Sequence, residues 1–172
     1  SSLTTNISGV NNTAVGNSAL ELNTGNNNTA VGKDALEANT SGTQSTAVGS
    51  NALTSATTGD NNTAVGMNCM LSTTTGTESV AVGTAALNDN TTGSFNIAIG
   101  RDALRSNTTA NHNTGVGHDA LRANTTGTQN VAVGSFAVDA NTSGSRLTGV
   151  GYGALSLSTT ATDCTAVGQS AL

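Results

Sequence analysis

The sequence predicts an all-β fold, a parallel β-solenoid (β-roll) of about ten 17-residue coils. The first observation is a repeat, since the tetrapeptide TAVG or a close variant occurs ten times among 172 residues. Successive copies are 17 residues apart eight times and 16 apart once, which is typical of stacked repeats. The second is composition: Thr, Asn and Ser supply 71 residues and Pro none. Such short polar side chains fold only where the backbone forms a regular hydrogen-bond ladder.

Each coil begins, in our numbering, at the Gly that ends the tetrapeptide, and reads G-x-x-A-L-x-x-N-T-T-G-x-x-N-T-A-V. The apolar pairs at positions 4–5 and 16–17 predict two short strands per coil, at positions 3–6 and 15–17. Gly at position 1 and the NTTG segment are typical of turns and predict one after each strand. The 16-residue coil lacks one residue of this segment, between Asn23 and Gly25.

The repeat fills the chain, so residues 1–172 are predicted to form a single array. Because the array starts and stops without polar capping coils, we expect it to be a segment of a longer fibre.

Apolar columns are expected on both faces of both strands, because neighbouring strand residues point to opposite sides. One coil has a single interior, so the second set of columns needs another surface to cover it. This favours a homo-oligomer of rods wound side by side, most plausibly three-fold. The residues assigned to the core or interface columns are Val48, Val65, Val82, Ile99, Val116, Val133, Leu53, Leu87, Leu104 and Leu121.

The segments NNTAVG, ESVAVG, FNIAIG and QNVAVG resemble the repeats of YadA-like heads of trimeric autotransporter adhesins. The longer unit, as in NTAVGKDALEANTSG, is similar to repeats of bacteriophage tail-fibre proteins. The resemblance covers the chain from about Asn11 to Leu172. It implies a left-handed β-roll assembled as a homotrimer, although the adhesin repeats are shorter than 17 residues.

Charged side chains cluster where Arg101-Asp102 and His118-Asp119 occupy positions 2 and 3 of successive coils. Stacking would place the two carboxylates about 5 Å apart, a separation resembling that of retaining glycosidases. These positions flank a turn and have no aromatic wall, so the sequence favours a solvated charge ladder. The alternative is a weak cation or ligand site formed by Asp102, Asp119, His112 and His118.

No metal site, cofactor or enzyme is predicted, since zinc spacing, calcium-solenoid, P-loop and nucleophile motifs are all missing from the sequence. Five Lys and Arg in total disfavour nucleic acid as a partner. No apolar run is long enough to cross a bilayer. Cys69 and Cys164 are too far apart along the rod to bond, so we expect two free thiols. The Asn-x-Ser/Thr triplets are explained better by turn chemistry than by glycosylation.

These features favour an extracellular fibre segment on a virion or a bacterial cell, a rigid trimeric rod that presents or contributes to receptor attachment. The receptor is not identifiable, because Phe95, Phe136 and Tyr152 occupy different columns or coils and are expected to form no shared platform. An ice-binding solenoid is the alternative, suggested by the unbroken Thr column at position 9. A polysaccharide-degrading solenoid is disfavoured, because no carboxylate-lined groove with aromatic subsites is predicted.

Overall fold

The computed structural model describes residues 8–172, and residues 1–7 of the predicted array lie outside the described part. It is a parallel β-solenoid in which each turn contributes one three-residue strand to a single ten-stranded sheet. The strands follow one another in chain order across that sheet. They are β1 (Thr13–Val15), β2 (Thr29–Val31), β3 (Thr46–Val48), β4 (Thr63–Val65), β5 (Val80–Val82), β6 (Ile97–Ile99), β7 (Thr114–Val116), β8 (Val131–Val133), β9 (Thr148–Val150) and β10 (Thr165–Val167).

The register between coils follows the sequence repeat, so identical positions face each other. Ala30 of β2 pairs with Ala47 of β3, and the same holds for every neighbouring pair of strands. The short coil keeps this register because its missing residue lies in a turn. In most full coils the N–H groups of positions 9 and 10 donate to one carbonyl, as Thr40 and Ser41 do to Thr57. In the short coil Thr24 alone donates to Thr40.

The sequence predicts a second strand at positions 3–6 of each coil, and this prediction is wrong. These residues form turns, and the residues at positions 3 and 5 have left-handed backbone angles, with φ 57° at Asp34 and 52° at Leu36. The adjacent Ala35 and Leu36 therefore both point inward and are both buried, which consecutive residues of a flat strand cannot do. Inter-coil hydrogen bonds continue through this segment, with Leu36 N–H donating to Ala52.

Glycine at position 1 is required where the chain leaves the strand. Gly32 has φ +139°, and a Cβ built on it would lie 2.3 Å from the carbonyl oxygen of Gly49 in the next coil. No real Cβ tolerates that distance, so any larger residue would push the coils apart locally.

The core is a narrow stack of small and medium apolar side chains. Ala or Gly at position 16 and Ala at position 4 line it with little volume, and the side chain at position 5 fills the remaining space. The predicted core residues Leu53, Leu87, Leu104 and Leu121 all lie here and are completely buried.

Two columns of buried Asn side chains complete the interior and hydrogen-bond from coil to coil. In one column, at position 8, Asn107 Nδ2 donates to Asn90 Oδ1 at 2.9 Å and to the Ala110 carbonyl at 3.0 Å. In the other, at position 14, the Asn113 N–H donates to Asn96 Oδ1 at 3.0 Å. The turns thus satisfy their buried backbone groups with side chains, as a dry interior requires.

The left-handed angle at position 3 predicts opposite effects for two neighbouring alanines. Ala85 has φ 57°, whereas Ala86 is completely buried in the core. Ala85→Gly should raise the free energy of unfolding by up to about 1 kcal/mol, because it relieves the left-handed strain. Ala86→Gly should lower it by about 1 kcal/mol or more, because a buried methyl group is lost. Urea unfolding followed by circular dichroism distinguishes the two signs, and equal signs would contradict this account.

The Asn column at position 8 is expected to contribute strongly to stability. Asn107→Ala removes two donated bonds and leaves the Asn124 amide without the acceptor that it reaches at 3.2 Å. Because these groups are buried, we expect a loss of about 2 kcal/mol or more in urea unfolding.

The opposite substitution, Ala56→Asn, adds an Asn to the same column. Ala56 is buried at position 8, where most other coils have Asn. The substitution should stabilise the chain by restoring a bond to Asn39 of the preceding coil. The exposed Thr109→Ala serves as the control and should leave stability unchanged. A loss for Thr109→Ala as large as that for Asn107→Ala would refute the assigned role of the column.

Candidate functional site

The largest functional candidate is the outer face of the sheet, defined here by the first and third residues of every strand. The predicted column residues Val48, Val65, Val82, Ile99 and Val133 lie on this face and are between 36% and 41% exposed, while Val116 is half-buried. They therefore point away from the core that holds the leucines. No charged residue occupies the first or third place of any of the ten strands, so the face is an uncharged stripe along the rod.

Threonine hydroxyls differ between the outer face and the turns. On the face, the hydroxyls of Thr29, Thr46 and Thr63 have no hydrogen-bond partner among residues 8–172. In the turn column at position 9, on which the ice-binding alternative was based, every hydroxyl from Thr24 to Thr142 donates to the next coil; Thr125 Oγ1 reaches the Thr142 carbonyl at 2.8 Å. The position-9 hydroxyls are therefore occupied in hydrogen bonds between coils. The Thr hydroxyls of the outer face make no such bonds and are available to a bound surface.

The predicted charge ladder is a pair of three-residue ion clusters on successive coils. Asp102 lies between Arg101, at 2.9 Å, and Arg105, at 3.6 Å. Asp119 lies between the His118 ring, at 3.3 Å, and Arg122, at 3.8 Å. Both aspartates are buried, whereas the cations reach solvent. Each carboxylate thus has basic partners within its own coil.

His112 does not join these clusters. Its ring stacks on Phe95 of the preceding coil, with centroids 5.0 Å apart and planes 4° from parallel. Among the described residues, no group of three or more His, Cys, Asp or Glu side chains could hold a metal ion. Of the five residues predicted to form the charged ladder or ligand site, His112 therefore lies apart. The other four, Arg101, Asp102, His118 and Asp119, belong to the two ion clusters.

The sequence predicts that Phe95, Phe136 and Tyr152 form no shared platform. This prediction is wrong for Phe136 and Tyr152, whose rings meet, whereas Phe95 contacts neither of them. Phe136 contacts the His118 ring at 5.2 Å and the Tyr152 ring at 5.7 Å, both edge-to-face. We call these three residues the ring cluster. Positions 2 and 3 are neighbours, so rings in three consecutive coils meet even though they occupy two columns. Comparing adjacent columns, rather than single ones, would have found it.

Asp139 is an isolated feature beside the ring cluster. It occupies position 6, the column of Arg105 and Arg122, and its Oδ1 is buried without a hydrogen-bond partner in the described structure. Burial raises the pKa of this carboxyl above its usual value, and the charge of Asp119 adds to the effect.

The remaining candidate groups are internal. The Asn side chains of the glycosylation-like triplets in the turns, at position 8, are buried, and those of Asn107, Asn124 and Asn141 donate to the carbonyls three residues later. A folded coil thus does not present them for modification. Cys69 is buried, and desolvation raises its pKa to about 12, so the thiol is protonated at neutral pH.

The described residues enclose no pocket, so any ligand must bind to an open surface of the rod. Comparison with protein-family models, curated proteins and solved structures gives no match to this chain. No helix that could span a membrane occurs between residues 8 and 172.

Two aspartates are expected to affect the pH dependence of stability with opposite signs. For Asp139 the folded-state pKa is raised, so the ionised form weakens folding as pH rises past the unfolded value. Asp139→Asn should therefore raise the melting temperature at pH 7. The pKa of Asp163 is lowered by its hydrogen bonds from Arg146, so the ionised form strengthens folding above the unfolded value. Asp163→Asn should lower the melting temperature at pH 7.

Both differences should shrink as pH falls from 7 to 3, and that of Asp139→Asn should disappear first, because the lowered pKa of Asp163 keeps its carboxyl ionised to lower pH. Thermal melts at pH 7 and pH 3 test the pair. A pH-independent effect of Asp139→Asn would show that it acts through packing instead of charge.

Proposed function

We propose that this chain is a structural and adhesive fibre segment, a rigid rod that assembles as a homotrimer on a virion or bacterial surface. It presents, or contributes to, attachment to a cell-surface receptor and works outside the cell. It performs no catalysis and uses no cofactor. The observation that carries the proposal is the outer face, an uncharged and largely apolar stripe that extends over ten consecutive strands.

Exposed apolar stripes of this extent are uncommon on soluble monomers and mark association surfaces. The stripe is most apolar in β5, β6 and β8, where Val80, Ile97 and Val131 replace the Thr of other strands. Each of these side chains is at least 37% exposed in the single chain. Burying these side chains against another surface would therefore lower the free energy of association.

A second copy of the chain fits this face in register. Parallel rods have the same distance of about 4.8 Å between coils, so each coil meets the equivalent coil of its neighbour along the whole length. Closure by rotation then gives a finite oligomer without open ends at the sides. The number three, and the left-handed path, come from the resemblance to adhesin heads and tail fibres.

Ice or another ordered solid surface is the second candidate partner of the same face. The free hydroxyls of Thr29, Thr46 and Thr63, each two residues before a Val, form a regular array that favours it. The array is interrupted by Val80, Ile97 and Val131, which favours association between chains. Thermal hysteresis in a freezing-point measurement would support ice binding, and its absence would remove that candidate.

The molar mass of the purified chain tests the fibre proposal directly. Light scattering should give three times the chain mass of 16.8 kDa. A stable monomer would overturn the proposal and leave the solid-surface candidate.

A variant pair locates the interface. The double substitution Val82→Asp and Ile99→Asp places charges on the outer face and should convert the trimer to a monomer or an unfolded chain. The matched control, Thr92→Asp together with Thr109→Asp, places the same charges at exposed turn positions and should remain trimeric. If the outer-face variant stays trimeric, the copies do not meet through this face.

A further inference from the structure

Ring-bearing side chains are concentrated in one part of the rod. Every Phe, Tyr and His of the chain lies between Phe95 and Tyr152. Three of them form the ring cluster across three consecutive coils, at centroid distances of 5.2 and 5.7 Å. Tyr152 is 56% exposed and forms its outermost member.

The fold does not require rings at these positions. Phe136 occupies position 3 with φ 58°, a left-handed angle that suits Asn, Asp or Gly and is strained for a bulky residue. The same position holds Asn51, Asn68 and Asp102 in other coils. The left-handed angle recurs at position 3 of the other coils, so this coil differs by carrying a bulky, partly exposed ring where the others carry Asn, Asp, Ser, Ala or Gly, and such departures from a repeat mark functional sites.

Fixed polar groups border the ring cluster. Asp119 lies between His118 Nδ1, at 3.3 Å, and the guanidinium of Arg122, at 3.8 Å. Asp139, three residues after Phe136, carries a buried carboxylate oxygen with no partner in the described structure. The exposed Arg122 and the partly exposed Asp139 therefore offer a donor and an acceptor beside the rings, although the buried Oδ1 of Asp139 is itself closed to a ligand.

We propose that the ring cluster, with Arg122 and Asp139, is a carbohydrate-binding site. A pyranose ring combines an apolar C–H face, which stacks on an aromatic ring, with hydroxyls that donate to carboxylates and accept from guanidinium groups. Because the rings follow one another along the rod, the ligand is an extended polysaccharide segment lying across several coils. An open strip suits such a chain, and the described residues enclose no pocket that would select a single sugar.

Other ligand classes fit the strip less well. The positive charges of Arg101, Arg105 and Arg122 are balanced by Asp102 and Asp119 on the same coils and by Asp139 on the next, so the strip does not attract a phosphate backbone. All residues of the proposed site come from one chain, so its test is separate from that of the trimer.

Affinity electrophoresis measures this binding, with the full chain run in native gels containing dextran, soluble starch, laminarin, galactomannan or hydroxyethyl cellulose. The wild-type chain should be retarded by at least one of these polysaccharides. Tyr152→Ala should weaken the apparent affinity about tenfold, which corresponds to roughly 1.4 kcal/mol. Phe95→Ala removes a ring of similar exposure outside the cluster and should migrate like the wild type.

Phe136→Asn separates binding from folding. Because Asn tolerates the left-handed angle, this variant should melt at the same or a higher temperature than the wild type and yet lose retardation. The proposal is overturned if no polysaccharide of the set retards the wild-type chain. It is equally overturned if Phe95→Ala reduces retardation as much as Tyr152→Ala, or if Phe136→Asn binds like the wild type.

Discussion

The hydrogen bonds between coils are the interaction on which the rest of this structure depends. They are made by the three-residue strands and also by the turns, where N–H groups such as those of Leu36 and Thr40 donate to the next coil. The ladder needs identical spacing in every coil, which explains why the 16-residue coil loses its residue from a turn where two N–H groups otherwise share one carbonyl. It also needs contact close enough that only Gly fits at position 1, where the neighbouring carbonyl leaves no room for a Cβ.

The ladder also explains an interior that mixes apolar and amide side chains. A thin coil cannot bury many large residues, so buried Leu is concentrated at position 5, with Leu147 at position 14 as an exception, and small residues fill positions 4 and 16 beside it. Turn carbonyls that would otherwise be buried and unpaired are satisfied by Asn columns such as Asn107 to Asn124. Each Asn bonds both within its coil and to its neighbour, so the turn chemistry of a single repeat becomes a continuous column through the stack. The Ala and Leu columns already fill the interior, and the Val column at position 17 lies on the outer face.

The period, the strand at TAVG and the buried Leu residues could be predicted from the sequence, because repetition fixes which side chains stack. The second strand could not, because two adjacent buried residues, Ala35 and Leu36, require a left-handed angle that apolar pattern alone does not specify. Alternation predicted apolar columns on two faces, but not which column faced outward. The ring cluster was missed because columns were compared one at a time, while the rings of Phe136 and Tyr152 meet across columns. The assignment of His112 to the charged group failed for the related reason that its position, 13, precedes the strand while positions 2 and 3 follow it.

The rod has two kinds of surface, one formed by residues that follow the repeat and one formed by residues that depart from it. Residues that recur in every coil, such as Val82 and Ile99, produce a uniform face, and a uniform face can recognise only something with the same repeat, a second copy of the rod or an ordered solid. Residues that break the repeat produce a local surface with its own chemistry, as Phe136 does beside Tyr152 and Asp139. A repeat fold tolerates such exceptions because the ladder is made by the backbone, and only the columns that contact the core restrict side-chain choice. In the functions proposed here, assembly therefore uses the repeated columns, and carbohydrate recognition uses the few coils in which positions 2, 3 and 6 depart from them.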